Sequence, residues 1–327
     1  MRLLTSLLLV VSTLLAACAS SKPARRPLSQ PAHPITDPRS LPIFNASTGD
    51  PASWSDLVTA CRDADFILLG ENHGHPIGLP FAAALWTDTL ADSPKAALAF
   101  EFFERDEQPR VDEYLLGLVD EPTFRKRTQR TASNYPPEHR AMLEATKDAG
   151  RPVIAANAPR PLVRLARLQG LDRLRSLPPS LAPLVRIPDS LPDGRYRDDF
   201  IKLMTGQPLG PDAATDPATD PATEPTPPDA EALARAESMF LSQSVWDWTM
   251  ADSVARALDE GHRPVALVVG RFHVDHHGGL VQALAHLKPD AKIVIITTID
   301  DHADQLLQSD RHRATFVVYV GSAMSPK

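Results

Sequence analysis

Beyond its N-terminus the sequence offers little cysteine, no excess of cations and no long apolar run. Only Cys18 and Cys61 are present. Two thiols cannot build a disulfide framework, and if Cys18 is acylated, as argued below, Cys61 has no partner. Cys61 lies at helical spacing among apolar residues and reads as a small core side chain. Lys plus Arg total 34 against 41 for Asp plus Glu, a formal charge of -7. That balance argues against a nucleic-acid partner and against a strong pull toward anionic lipid. No segment after the first is long enough to cross a bilayer. The strong metal signatures are missing too: there is neither HExxH nor CxxC.

What is present begins with a processing signal. Arg2 is followed by an apolar stretch from Leu3 to Leu15 and then by Leu15-Ala16-Ala17-Cys18. The stretch is too short for a spanning helix and reads as a secretory signal, residues 1–17. Its ending resembles a bacterial lipobox, which implies cleavage before Cys18 and lipid, such as palmitate, on the chain. Ala19 rather than Asp after the cysteine favours the outer membrane, with the domain facing the periplasm or the surface. Residues 18–40 are rich in Pro, Ser and Arg and form an expected disordered tether. Residues 209–229 carry a DPAT repeat, cannot bury a core and are expected to be disordered as well. The 32 prolines, roughly double the usual share of about 5%, fall mostly in such loops and tails.

The remaining chain, 41–327, alternates strand and helix patterns. Short apolar runs at 66–69, 96–102, 152–156, 265–269, 292–297 and 315–320 read as strands. Helical spacing recurs at 54–61, 79–90, 111–118, 138–149, 161–169, 171–177, 230–260 and 280–287. This alternation predicts an α/β fold with a mostly parallel central sheet flanked by helices. Helices outside it, in about 107–205, are expected to form a small cap subdomain. Gln243, Asp247 and Asp252 interrupt the apolar stripe of the 230–260 helix.

The stretch Asp65–His75, DFILLGENHGH, concentrates the chemistry. An apolar strand is stopped by Gly70 and followed at once by Glu71, Asn72, His73 and His75. A second strand stops at Gly270 and is followed by Arg271, Phe272, His273, Val274, Asp275, His276 and His277. Both loops read Gly-x-x-His. A third strand ends in Glu101, with Glu104 close behind. In open parallel sheets ligands bind outside the carboxyl ends of the strands. If these three strands are neighbours, His73, Glu101 and His273 meet on one rim.

Imidazoles and carboxylates on a shared rim have three uses. They can hold a divalent metal, with His73, Glu101 and His273 as ligands and Glu71 or Glu101 activating water. They can perform acid–base chemistry without metal, given carboxyl and imidazole groups with separated pKa values. Or they can hold haem, whose iron takes His or Tyr. For haem, the wall would draw on Phe81, Trp86, Phe102, Phe103, Phe272 or the Trp246/Trp248 pair. Each group also has a plainer role: Glu101 can pair with Arg105, Arg160 or Arg271, the Trp pair can be core, and Asn157 can cap a helix. Together with Arg160, Asn157 can instead bind an anionic group.

The blocks LLGENHGH, FEFFERDEQPRVDEYLLG, AANAPRPLVR, SQSVWDWTMADSVA and VVGRFHVDHHGGL together resemble the ChaN-like haem-binding lipoproteins, within a wider group that includes Tiki and TraB proteins. The resemblance implies an α/β core with a small helical domain. It also implies haem held between two subunits, a Tyr ligand to iron and a nearby His. Tyr135, ahead of the 138–149 helix, is the best-placed of the four tyrosines. His75, Asn157 and Arg160 are the expected accessory haem contacts. The wider group implies metal-dependent hydrolysis by two Gly-x-x-His motifs and a Glu, here His73, His273 and Glu101, with Glu71, His75 and Asp275 assisting. The expectation is therefore an envelope lipoprotein for haem uptake or handling, with a hydrolase as the alternative and a homodimer as the expected assembly.

Overall fold

A computed structural model describes residues 37–207 and 228–322. The expected signal segment, Cys18, most of the tether and residues 209–227 of the expected insert lie outside the described residues. At its described end, 37–40, the tether makes a turn over Pro38–Ser40, and Arg39 Nε donates to Asp88 at 2.8 Å.

Eight strands form one sheet: β1 (Ile43–Asn45), β2 (Pro51–Ala52), β3 (Phe66–Glu71), β4 (Ala97–Glu104), β5 (Val153–Asn157), β6 (Val265–Gly270), β7 (Ile293–Ile299) and β8 (Phe316–Tyr319). Their order is β2-β1-β8-β7-β3-β6-β4-β5. All pairings are parallel from β8 across to β5, while β1 pairs antiparallel with β8 and β2. The fold is α/β with a mostly parallel sheet, as the alternation of elements predicts.

The central strands read as unbroken apolar runs because both faces are covered. Ile67, Leu69, Phe100, Val268 and Ile296 pack toward α1 (Trp54–Arg62), α2 (Gly78–Ala91) and α5 (Pro137–Asp148). Phe66, Leu68, Ala99, Leu267 and Ile295 pack toward α9 (Ala230–Asp259) and α10 (Gly279–Leu287). The start of α1 is fixed by a capping box in which Ser53 and Asp56 each bond the other's backbone N–H.

Helices between 108 and 205 fall into two groups by packing. With α5, α3 (Gln108–Leu115) and α4 (Glu121–Arg127) gather Phe103, Val111, Tyr114, Phe124, Tyr135 and Met142. α6 (Arg160–Gln169) and α7 (Leu171–Arg175) instead set Val163, Ala166 and Leu174 against Val245 of α9. α8 (Gly194–Thr205), which is not among the expected helices although Tyr196, Phe200 and Leu203 have helical spacing, packs Tyr196 and Phe200 on Phe240 of α9. Among the described residues, no helix is long and apolar enough to cross a membrane.

What positions the site is the crossover. The chain runs from β3 out to β4 and β5, then returns to place β6 between β3 and β4. Glu71 thereby sits in register with Gly270, and Phe100 with Val268. The carboxyl ends of β3, β6 and β4 are side by side, as a rim shared by His73, Glu101 and His273 requires.

Candidate functional site

Two imidazoles emerge from this rim, each held from behind by a carboxylate. His73 Nδ1 donates to Glu71 Oε1 at 3.0 Å. The other oxygen of Glu71 accepts from His139 Nε2 at 2.8 Å. His139 comes from α5, is buried and stacks on Phe102 with centroids 5.0 Å apart. On the opposite face of the sheet, His273 Nδ1 donates to Asp247 Oδ1 at 2.5 Å. Asp247 Oδ2 accepts from Tyr196 OH at 2.7 Å, and Gln243 Nε2 donates to that phenol at 2.9 Å. Both rings are therefore held in one orientation, each with a proton on Nδ1.

Glu101 closes the arrangement. Its Oε2 accepts the Gly270 N–H at 2.6 Å, and its Oε1 lies 3.6 Å from His273 Nε2. The backbone is crowded here: a Cβ on Gly270 would stand 3.0 Å from His73 Nε2, which would have to give, and 3.5 Å from Glu101 Oε2. Gly70 is more tightly confined, because a Cβ there would stand 2.8 Å from Val274 Cγ2 and 3.2 Å from the Arg271 backbone. The two Gly-x-x-His motifs thus interlock, each glycine making room for the other loop.

Electrostatics follow from burial and partners. Burial works against a charge on Glu71, but His139 and His73 outweigh it and hold its carboxyl below the usual range. The bond to Glu71 raises His73 above an ordinary imidazole. Burial penalises charge on His273, yet Asp247, with Glu101 behind it, pushes its pKa up to about 9. At neutral pH His273 and Asp247 form an imidazolium–carboxylate pair.

A cavity of about 640 Å³ opens on the α5 side of these groups. Glu71, His73, Glu101, His139 and His273 contribute its polar wall, while Leu79, Phe102, Pro136, Trp246 and Val268 contribute apolar surface. A second cavity of about 590 Å³ lies on the α8 side and shares Glu71, His73 and His273. The imidazoles stand in the partition between the two.

The expected site residues are placed as follows. His73, Glu71, Glu101 and His273 come together. The metal reading of His73, Glu101 and His273 meets a geometric obstacle, since among the described residues no group of three or more His, Cys, Asp or Glu is arranged to hold a metal ion. His75 lines the cavity, but its Nδ1 accepts from the N–H groups of Ile77 and Gly78 at 3.2 and 3.0 Å and its Nε2 donates to Gly321 O at 2.9 Å. These bonds tie the ring to the backbone just ahead of α2. Asn157 and Arg160 lie at the mouth, the Arg160 side chain being 81% exposed beside Glu104. Asp275 is neutralised by Arg313 at 2.8 Å and faces the second cavity.

Tyr135 sits behind the wall rather than in it. Its neighbours Asn134 and Pro136 line the cavity, but its own ring packs among Phe102, Phe103 and Phe124, and its buried hydroxyl has no hydrogen-bond partner. Burial raises its pKa. Tyr114 and Tyr196 donate to Glu144 and Asp247, and Tyr319 to Asp310. No tyrosine hydroxyl is offered to the cavity. Of the Trp pair, Trp246 lines the cavity and Trp248 is core.

Sequence reasoning passed over His139, and it named Asp247 only as a polar residue in an apolar stripe. That interruption was the available signal, since a carboxylate on a buried helix face needs a partner.

The profile of the family described as haem-binding uptake, Tiki superfamily, ChaN matches residues 57–284. The chain belongs to this family. Its fold is also that of the solved structure titled cofacial heme binding to ChaN of Campylobacter jejuni, at 14% identity, with 85% of this chain and 96% of that chain covered and a TM-score of 0.62. A mutant of the erythromycin esterase EreC, in its open conformation, is a more distant likeness at 15% identity, covering 87% and 84% with a TM-score of 0.43. The type III effector HopBA1 is similar at 12% identity, covering 88% and 100% with a TM-score of 0.42. At those scores neither bears on fold or chemistry. No curated protein matches the sequence.

The residues of this ChaN-family site fit the group that the family name specifies. His73 Nε2 makes no hydrogen bond within the described residues, its Nδ1 being taken by Glu71, and the residue lines both cavities. A ring anchored in this way is the usual state of an imidazole that ligates iron. The cavity falls within the size range of small-molecule and cofactor sites, about 300–1,000 Å³. His139, behind Glu71, lines the same cavity, and its Nδ1 is buried without a partner.

Proposed function

We propose that this protein binds haem in the cavity between α2, β4 and α5, with the His73 imidazole as the ligand to iron. The supporting observation is the state of His73. Its ring is fixed by Glu71, its Nε2 is unengaged, and it borders a cavity with an apolar wall. Leu79, Phe102, Pro136 and Trp246 would cover the porphyrin, and Arg160 with Asn157 would meet its carboxylates at the mouth. Haem, when bound, supplies a redox-active iron. The protein's part is to orient one imidazole, keep its far nitrogen on a carboxylate and exclude water from one face.

The test is a hemin titration of purified protein, read in the Soret band. A saturable shift with defined stoichiometry is expected. No shift at micromolar hemin rejects the reading.

We further propose an envelope lipoprotein that handles haem at the outer membrane through lipid on Cys18, with a second copy of the chain completing the ligand enclosure. Labelled palmitate should enter the wild type and not Cys18→Ser. The molar mass in solution should double when hemin is added.

A second reading rests on a separate observation, the charged His273 beside Glu101. Glu101 would take a proton from attacking water while the His273 imidazolium gives one to the leaving oxygen, with no metal required. Turnover of a panel of carboxylic esters, abolished in Glu101→Gln and indifferent to chelator, would support it. Absence of turnover across the panel would remove it.

A further inference from the structure

The formal charge of -7 argues against attraction to anionic lipid, but it averages over a surface that is not uniform. α6 and α7 carry Arg160, Arg164, Arg167, Arg173 and Arg175 against a single acid, Asp172. In α6 the spacing 160, 164, 167 sets three guanidinium groups on one face. The opposite face, through Val163 and Ala166, is buried against Val245 of α9. Arg164, Arg167 and Arg173 are exposed, as is Leu168, which is 60% exposed beside them.

The other basic stretch of the chain is arranged differently. Around α4, Arg125 faces Glu121 at 4.0 Å, Arg127 pairs with Glu113, Arg130 lies 2.6 Å from Glu107 and Arg140 lies 2.5 Å from Glu121. Each of these four arginines has a carboxylate from this chain, and Lys126 alone in the stretch pairs with none within the described residues. Arg164 and Arg167 have none within the described residues and Arg173 donates only to Ser176 Oγ, while Arg160 faces Glu104 at 3.5 Å and Arg175 is paired with Asp172 at 2.5 Å. A row of uncompensated cations ending in an exposed leucine, on a helix whose other face is fixed to the core, matches a surface carrying dense negative charge over hydrocarbon.

We propose that the arginine face of α6 and α7 docks on an anionic phospholipid bilayer. Arg160, which faces Glu104, stands one turn before this row and lines the first cavity. Docking would therefore turn that cavity toward the membrane, so that an apolar ligand could pass from bilayer to cavity without crossing water. The docking itself does not depend on the haem reading.

The test uses the chain from Ala19 onward, which lacks Cys18 and holds every described residue. It is sedimented with phosphatidylcholine vesicles, with and without phosphatidylglycerol. Binding only to the anionic vesicles is expected, falling steeply as salt is raised. Arg164→Glu, Arg167→Glu and Arg173→Glu together should lower that binding at least tenfold, while circular dichroism and hemin titration match the wild type. Leu168→Ser should weaken binding less than the charge reversal. Equal binding to both vesicle types, no binding to either, or a triple variant that binds like the wild type overturns the proposal. Binding to duplex DNA without binding to vesicles overturns it in favour of a polyanion partner.

Discussion

His273 Nδ1 lies 2.5 Å from Oδ1 of Asp247, a carboxylate wholly withdrawn from solvent. A buried charge of this kind is tolerated only when paired and hydrogen-bonded. Tyr196 supplies the second bond. The pair therefore serves to fix the ring as much as to stabilise the fold.

Replacing Asp247 by Asn should cost about 3 kcal/mol, the scale for removing one partner of a buried ion pair. It should also change the pH profile. His273 rises from an ordinary 6.5 to about 9 on folding. Its contribution to stability is thus complete below 6.5 and is lost as pH climbs through about 9. Urea melts across this range should show stability declining in the wild type, with the decline flattened in Asp247→Asn. An unchanged slope would contradict the ion pair.

The haem reading separates two candidate ligands. His73→Ala should abolish the Soret shift or weaken hemin binding at least tenfold, because no tyrosine hydroxyl replaces its Nε2 at the cavity wall. Tyr135→Phe should leave the spectrum unchanged and removes only a buried, unpartnered hydroxyl. Its stability should stay within about 1 kcal/mol of wild type or rise, since an unsatisfied polar group is lost. A spectrum that changes in Tyr135→Phe and not in His73→Ala would show that the loop at 131–136 opens on binding.

His139→Leu tests the support behind His73. Glu71 is held below its ordinary 4.5 by the two imidazoles, so its contribution is present above 4.5 and is lost as pH falls through the lower folded value. Without His139, Oε2 of this buried carboxylate loses its partner. A loss of about 2 kcal/mol at neutral pH is expected, with acid unfolding displaced to higher pH. Hemin affinity should drop by about 10–100-fold, the usual effect of disturbing the group behind a ligand. Full affinity in His139→Leu would mean that Glu71 holds His73 unaided.

The parts of this site readable from sequence were those carried by strand ends. An apolar run stopped by glycine places the next residues at a rim, which located His73 and His273; Glu101, expected to end its strand, lies inside β4, just past the last residue paired with β6. Their convergence followed once β6 lay between β3 and β4. His139 was not readable, because a lone histidine in an amphipathic helix gives no sign of what it faces. The α8 helix was missed, and with it the tie from Tyr196 to Asp247. The edge strands β1 and β2 span only 43–45 and 51–52, too short for alternation to register. Tyr135 was placed by its nearness in sequence to α5, and its burial among three phenylalanines came from tertiary packing.

Gly270 offers the cleanest separation of site from fold. Its backbone has φ near -56°, which any residue adopts. Adding a methyl group should therefore introduce no backbone strain. The new Cβ would stand 3.0 Å from His73 Nε2, on an exposed side chain that can give way by straining its single bond to Glu71. Gly270→Ala should accordingly change stability by less than about 1 kcal/mol while displacing the one imidazole nitrogen offered to a ligand. Gly70→Ala makes the contrast, because its Cβ would meet Val274 and the backbone of Arg271, which cannot swing away. That variant should lose about 1–3 kcal/mol through overpacking. Thermal melts and hemin titrations of the two proteins would then diverge, Gly270→Ala stable but weak for hemin and Gly70→Ala unstable. If Gly270→Ala binds hemin like the wild type, His73 does not hold the iron.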